Sequence, residues 1–123
     1  MKKLGFLNRL PIELPERGRP MYPSPWQKIS AMTIAYGHGI AVSPMHLVSG
    51  VAAVVNGGVL WPVTLLKKND RSSNIGKQIL SAKTSKNMRK MLRLVVENGT
   101  GRNAAATGYW VGGKTGTADK QSP

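Results

Sequence analysis

The sequence contains no cysteine, which excludes disulfides, thiolate metal ligands and a cysteine nucleophile. Acidic residues are also scarce: 5 Asp and Glu stand against 18 Lys and Arg, a formal charge of +13. Such an excess favours anionic surroundings. Aromatics are few and scattered, however, with three Trp, three Tyr and one Phe. Binders of RNA and single strands interleave stacking aromatics with their cations, so no nucleic acid is expected as a partner. The two histidines, His38 and His46, are separated by the helix breakers Gly39 and Pro44 and have no ligand cluster nearby, so a packing role is expected and no metal. Nor is there a long uninterrupted apolar run. Between Ile29 and Leu66 no charged residue occurs, but Gly37, Gly39, Pro44, Gly57, Gly58 and Pro62 punctuate the stretch, which reads as buried core rather than a bilayer span. The basic start MKKLGFLNRL meets Pro11 and Glu13 before an apolar run develops, so it is not expected to act as a signal peptide.

At 41% hydrophobic and 19% charged residues, the composition is that of a chain that folds. Pro11, Pro15, Pro20, Pro23 and Pro25 forbid helix and predict an extended surface loop. Ser43-Pro44 has the form of a helix start, N-cap then proline at the first helical position, with Gly57-Gly58 as its stop. Being nearly free of charge, that helix is expected inside. VLWPVTLL follows as a short extended segment and KKNDRSSNIGK as a polar loop. Ser81 opens a further helix in which Met88, Met91, Leu92, Val95 and Val96 keep the spacing of one buried stripe. Lys83, Lys86, Lys90 and Arg93 fall on another face, read as solvated. Asn98-Gly99 closes the helix. Tyr109, Trp110, Val111, Thr115 and Thr117 favour a final strand, and Gly112, Gly113 and Gly116 leave room for a neighbour to lie close.

That last stretch, GYWVGGKTGTA, admits two readings. Gly108 to Thr115 fits the regular expression of a phosphate-binding P-loop, G-x-x-x-x-G-K-[ST]. A P-loop turns out of a strand and opens a helix, whereas Tyr109-Trp110-Val111 favours extended chain and Gly116-Thr117 is a poor helix start. A Mg²⁺ partner would have to come from the five acids, none at the end of an apolar strand. Lys114-Thr115-Gly116 is equally the K-T-G of penicillin-interacting enzymes. An acyl-transfer enzyme that lays a peptide along a strand needs small residues toward the ligand, a backbone N–H for the oxyanion, and a hydroxyl and a cation for the carboxylate. Gly113 to Thr117 supplies all of these.

LGF at Leu4, the I-x-L-P-E run from Ile12 to Glu16, AYGHGIAVSPMHLVSGVAAVVNGG from Ala35, VVENGTG ending at Gly101 and VGGKTGTA follow one another in a single order. In that order the chain resembles a class B penicillin-binding protein, the division-type peptidoglycan D,D-transpeptidase, over nearly its whole length. The resemblance implies an α+β fold, part of the penicillin-binding protein and serine β-lactamase-like transpeptidase fold with helices packed on an antiparallel sheet. It implies that residues 1–123 form a partial transpeptidase domain. Lys114 then corresponds to the lysine of the network around the nucleophile, and Thr115 to the hydroxyl that holds the substrate carboxylate. Gly116 matches the small residue that admits the ligand, and Thr117 the position whose N–H completes the oxyanion hole. No cofactor is implied. The implied partners are peptidoglycan stem peptides and β-lactams, with divisome proteins beside them, at the periplasmic face of the inner membrane.

The family's nucleophile lies in Ser-x-x-Lys, and no serine of this chain has a lysine three residues on. Ser72-Ser73-Asn74 fits the family's Ser-x-Asn element but stands in the wrong place, after the uncharged helix rather than before LGF. The resemblance therefore predicts a domain truncated at both ends, without nucleophile or last strands, inactive by itself and prone to aggregate. A non-catalytic remnant, a basic polyanion-binding fragment and a P-loop nucleotide binder stay open as alternatives.

Overall fold

A computed structural model describes residues 1–67 and 75–116. Ser72-Ser73-Asn74 and Thr117 lie outside the described residues. The chain divides into two units, Met1–Ser85 and Lys86–Pro123.

The first unit begins with a 3-10 turn, Lys2–Leu4, ended by Gly5 in the left-handed conformation at φ 76°. This reversal sends Phe6 into the interior. The proline-rich run that follows carries no helix but is tied down at two points. Met21 and Ala41 exchange both backbone hydrogen bonds at 2.9 Å, and the Glu13 carboxylate accepts from the Thr64 hydroxyl and, at 3.0 Å, from the Leu65 N–H.

Helix α1, Lys28–Ala35, is an element the sequence reading does not anticipate. Its N-cap, Gln27, makes no side-chain cap bond, and only Ser30 and Ile34 are buried, so neither a cap nor an apolar stripe announces it. Helix α2, Pro44–Val55, forms as expected: Ser43 accepts from the His46 N–H, Pro44 occupies the first turn, and Gly57 and Gly58 follow at φ 100° and 94°. Its burial differs from expectation. His46, Gly50 and Ala53 are buried, but Leu47, Val48 and Val51 on the other side are exposed. Absence of charge predicted burial all round, whereas the described residues cover one face of the helix.

After α2, the Asn56 side chain closes a turn on the Val59 backbone, donating to its carbonyl at 2.8 Å and accepting from its N–H at 3.0 Å. This turn starts β1, Val59–Leu60, which pairs antiparallel with β2, Lys77–Gln78, Val59 opposite Gln78 and Leu60 opposite Lys77. Helix α3, Ala82–Glu97, starts where predicted, with the Ser81 hydroxyl accepting from the Thr84 N–H at 3.0 Å. Ser85 is fully buried and accepts from the Gly57 N–H at 3.0 Å. Further along, Val96 is buried and Met88, Leu92 and Val95 are half-buried, while Met91 stands out at 52% exposure. Helices α1, α2 and α3 and a small antiparallel sheet make the chain α+β. Among the described residues no helix is long and apolar enough to cross a membrane.

Candidate functional site

Within the second unit, α3 ends against glycines that its own backbone requires. A Cβ on Gly99 would stand 2.8 Å from the Val95 carbonyl oxygen, and the Gly101 N–H donates to that same oxygen at 3.0 Å. The Gly99-Thr100-Gly101 loop therefore folds tightly over the helix end and presents Thr100. A 3-10 turn, Arg102–Ala104, and Gly108 at φ 83° then bring the chain back toward α3.

Residues 111–116 have no strand ladder among the described residues, which differs from the strand expected there. The β-favouring residues are present, but a ladder needs a second strand, and the backbone groups of Val111 and Gly113 bond to α3 instead. The Gly113 N–H donates to the Leu92 carbonyl at 3.0 Å, using the lone pair a helix carbonyl keeps free. Arg93 donates from Nη1 to the Val111 carbonyl at 2.8 Å. Gly112 lies so close that a Cβ there would come 3.2 Å from the Arg93 nitrogen.

This seating places the K-T-G residues. Lys114, Thr115 and Gly116 are all exposed. The Thr115 hydroxyl meets that of Thr100 at 3.1 Å, and the Lys114 ammonium donates to the Thr115 carbonyl at 2.6 Å. Nothing lies within 4 Å of a Cβ built on Gly116. Lys114, Thr115 and Gly116 thus stand together, whereas Thr117 is outside the described residues. Sequence reasoning missed Thr100, which only the fold of the glycine loop brings to Thr115. It also misread Arg93 as part of a solvated face; its i, i+4 spacing to Glu97 was a signal for an ion pair, but nothing local pointed to Val111.

The remaining candidates have other roles. His46 has both ring nitrogens engaged, Nδ1 with the Ser43 hydroxyl at 2.7 Å and Nε2 with the Asn8 carbonyl at 3.0 Å, a packing role. A P-loop requires a helix beginning at its lysine and threonine, and Lys114 and Thr115 are not helical.

The family model of the penicillin binding protein transpeptidase domain matches residues 1–123. The chain belongs to this transpeptidase family. It is 37% identical over 123 residues to the probable peptidoglycan D,D-transpeptidase FtsI of Caulobacter vibrioides, covering 98% of this chain and 21% of that protein. Stage V sporulation protein D of Bacillus subtilis is 39% identical over 133 residues, covering 98% of this chain and 20% of the relative. Among solved structures, the apo transpeptidase domain of penicillin-binding protein 3 from Burkholderia pseudomallei overlays with a TM-score of 0.85 at 36% identity, over 98% of this chain and 37% of that one. A peptidoglycan glycosyltransferase structure from Burkholderia ambifaria overlays at 0.86 with 32% identity, over 97% of this chain and 39% of that one. The chain thus spans about a fifth of the length of these curated relatives and under two fifths of the solved chains.

Proposed function

We propose that this chain forms the K-T-G wall of a serine D,D-transpeptidase that cross-links peptidoglycan stem peptides and is acylated by β-lactams. The observation that carries the reading is the exposed pair of hydroxyls, Thr100 and Thr115 at 3.1 Å, beside the exposed Lys114 ammonium. In this pair one O–H is spent on the mutual bond and the other is free to turn outward, and that donor next to a cation suits a carboxylate such as that of a terminal D-alanine or a penicillin.

In this reading a serine outside these residues attacks the carbonyl of the penultimate D-alanine, forming an acyl-enzyme and releasing the terminal D-alanine. An amine of a neighbouring stem peptide then takes the acyl group and frees the serine. Lys114 joins the proton-bearing network at the serine, and Thr115, with Thr100, holds the carboxylate. Gly116 lets the peptide lie close, and the Thr117 N–H serves the oxyanion. The site works at the periplasmic face of the inner membrane beside division proteins. The chain alone, having no Ser-x-x-Lys, forms no acyl-enzyme.

A chimera tests this. Residues 1–123 replace the stretch they match in the Burkholderia pseudomallei transpeptidase domain, leaving the host's own nucleophile, and labelling by a fluorescent penicillin is followed. The chimera is expected to be labelled and the isolated chain not. Lys114→Ala should slow acylation of the chimera about 100-fold or more, the scale of a lost proton-transfer group. Labelling of the isolated chain, or equal acylation of the Lys114→Ala and parent chimeras, rejects the reading.

A further inference from the structure

We infer that Arg93 is a positioning residue for this site: with Glu97 and Trp110 it clamps the chain segment that carries Lys114 and Thr115 onto α3. The inference rests on the transpeptidase reading for its catalytic consequence, but the clamp itself is visible in the geometry.

Three contacts converge on one guanidinium. Nε pairs with Glu97 Oε1 at 2.7 Å, Nη1 donates to the Val111 carbonyl at 2.8 Å, and the group's centre lies 5.3 Å from the Trp110 ring centroid. Arginine can do this because its planar fork presents separate donors in fixed directions while its face remains available to an aromatic ring. A lysine has one compact charge, which cannot hold Glu97, hold Val111 and cover Trp110 together. The contacts differ in weight. Trp110 is 90% exposed, so the ring contact is the weakest, and the pair with Glu97, itself on the surface, mainly orients the fork. The bond to Val111 is the anchor, because it fixes main chain.

Its position in the segment makes that anchor matter. Val111 is three residues before Lys114, and the next fixed point is Gly113, held to the Leu92 carbonyl. Leu92 and Arg93 are consecutive residues of α3, so one turn of a helix holds the segment at two points just before the lysine. Thr115, the hydroxyl partner of Thr100, lies two residues beyond the second point. Loss of the first point leaves the second to hold the segment alone, so the Gly113 bond opens more often and Lys114 shifts with it; displacements of the order of 1 Å at a reacting group can cost about 100-fold in rate.

The test compares Arg93→Met, which keeps the apolar stem and removes every donor, with Arg93→Lys and Glu97→Gln, by amide hydrogen exchange and ¹⁵N NMR on the full 123-residue chain. Arg93→Met is expected to speed exchange at Gly113 about tenfold or more while Met88, within α3, changes little, since local opening is reported amide by amide. The Trp110 indole and the Lys114 and Thr115 amides should shift with it. Arg93→Lys should give no rescue, and Glu97→Gln an intermediate effect. In the penicillin-binding chimera, Arg93→Met should slow acylation about tenfold or more. Unchanged Gly113 protection overturns the clamp, and so does an equal rise at Gly113 and Met88, which would make Arg93 a support of the helix. A chimera that is never labelled, with Gly113 protection still lost in Arg93→Met, rejects the transpeptidase reading and leaves the clamp standing.

Discussion

The ring of Phe6 occupies the space that a side chain at residue 50 would need: a Cβ on Gly50 would stand 2.6 Å from Phe6 Cζ. The same ring meets His46 edge-on, 6.4 Å between centroids at 86°, so one aromatic from the start of the chain is seated on one face of α2. Glycine inside a helix costs about 1 kcal/mol relative to alanine, and here the missing methyl makes room for the ring. Gly50→Ala should therefore lose more through overpacking than it gains in propensity, a net destabilisation of about 1–2 kcal/mol. A lower urea midpoint with unchanged slope would show it, and adding Phe6→Leu should recover part of the loss.

Ser43 caps α2 twice over. Its oxygen accepts from the His46 N–H at 3.4 Å, and its hydroxyl meets His46 Nδ1 at 2.7 Å. The Asn8 carbonyl can only accept, so Nε2 carries the proton of that bond. Ser43→Ala removes both bonds and should cost about 1 kcal/mol or somewhat more in urea unfolding. Ser43→Asn keeps a capping oxygen and should lose less.

The parts of the fold that were legible in the sequence are those with local causes. Ser43-Pro44 and Ser81 start helices through their own side chains, and Gly57-Gly58 stops one through its own backbone. Helix α1 was not legible, because neither a side-chain cap nor an apolar stripe marks it. The exposed side of α2 was hidden for a related reason: lack of charge says that Leu47, Val48 and Val51 can be covered, not what covers them. At the site, the K-T-G residues were readable as a motif, and their fit to an ordered series of family segments identified the chain. Thr100 and Arg93 were not readable. Thr100 reaches Thr115 across 15 residues and Arg93 reaches Val111 across 18, and no local pattern encodes such pairings.

The exposed side of α2 has a measurable consequence. Leu47, Val48 and Val51 are 55%, 61% and 49% exposed on one helix face, a contiguous apolar strip of the kind that drives association. The isolated chain should bind a hydrophobic dye and sediment above its monomer mass as concentration rises. Val48→Lys with Val51→Lys should lower both signals while the far-ultraviolet circular dichroism of the helices is retained. Dye binding and sedimentation unchanged in the double variant would place the sticky surface elsewhere.

Gly112 and Gly116 carry no side chain for opposite reasons, and one substitution at each separates them. A Cβ on Gly112 would lie 3.2 Å from the Arg93 nitrogen and 3.3 Å from the Leu92 carbonyl carbon, both backbone atoms of a helix and so less ready to move than a side-chain end. In Gly112→Ala the segment must therefore move instead, lengthening the Gly113 bond to Leu92. Faster exchange at the Gly113 amide is expected, with slower acylation of the penicillin-binding chimera by about tenfold or more as Lys114 is displaced. A Cβ on Gly116 meets nothing within 4 Å, so Gly116→Ala should leave stability within about 0.5 kcal/mol of the parent and Gly113 exchange unchanged. If the space at Gly116 is kept for a ligand, acylation should nevertheless fall, because the methyl stands where the bound β-lactam approaches the chain. Acylation at the parent rate in Gly116→Ala would mean that the ligand does not pass over this residue, and the role assigned to Gly116 would fail.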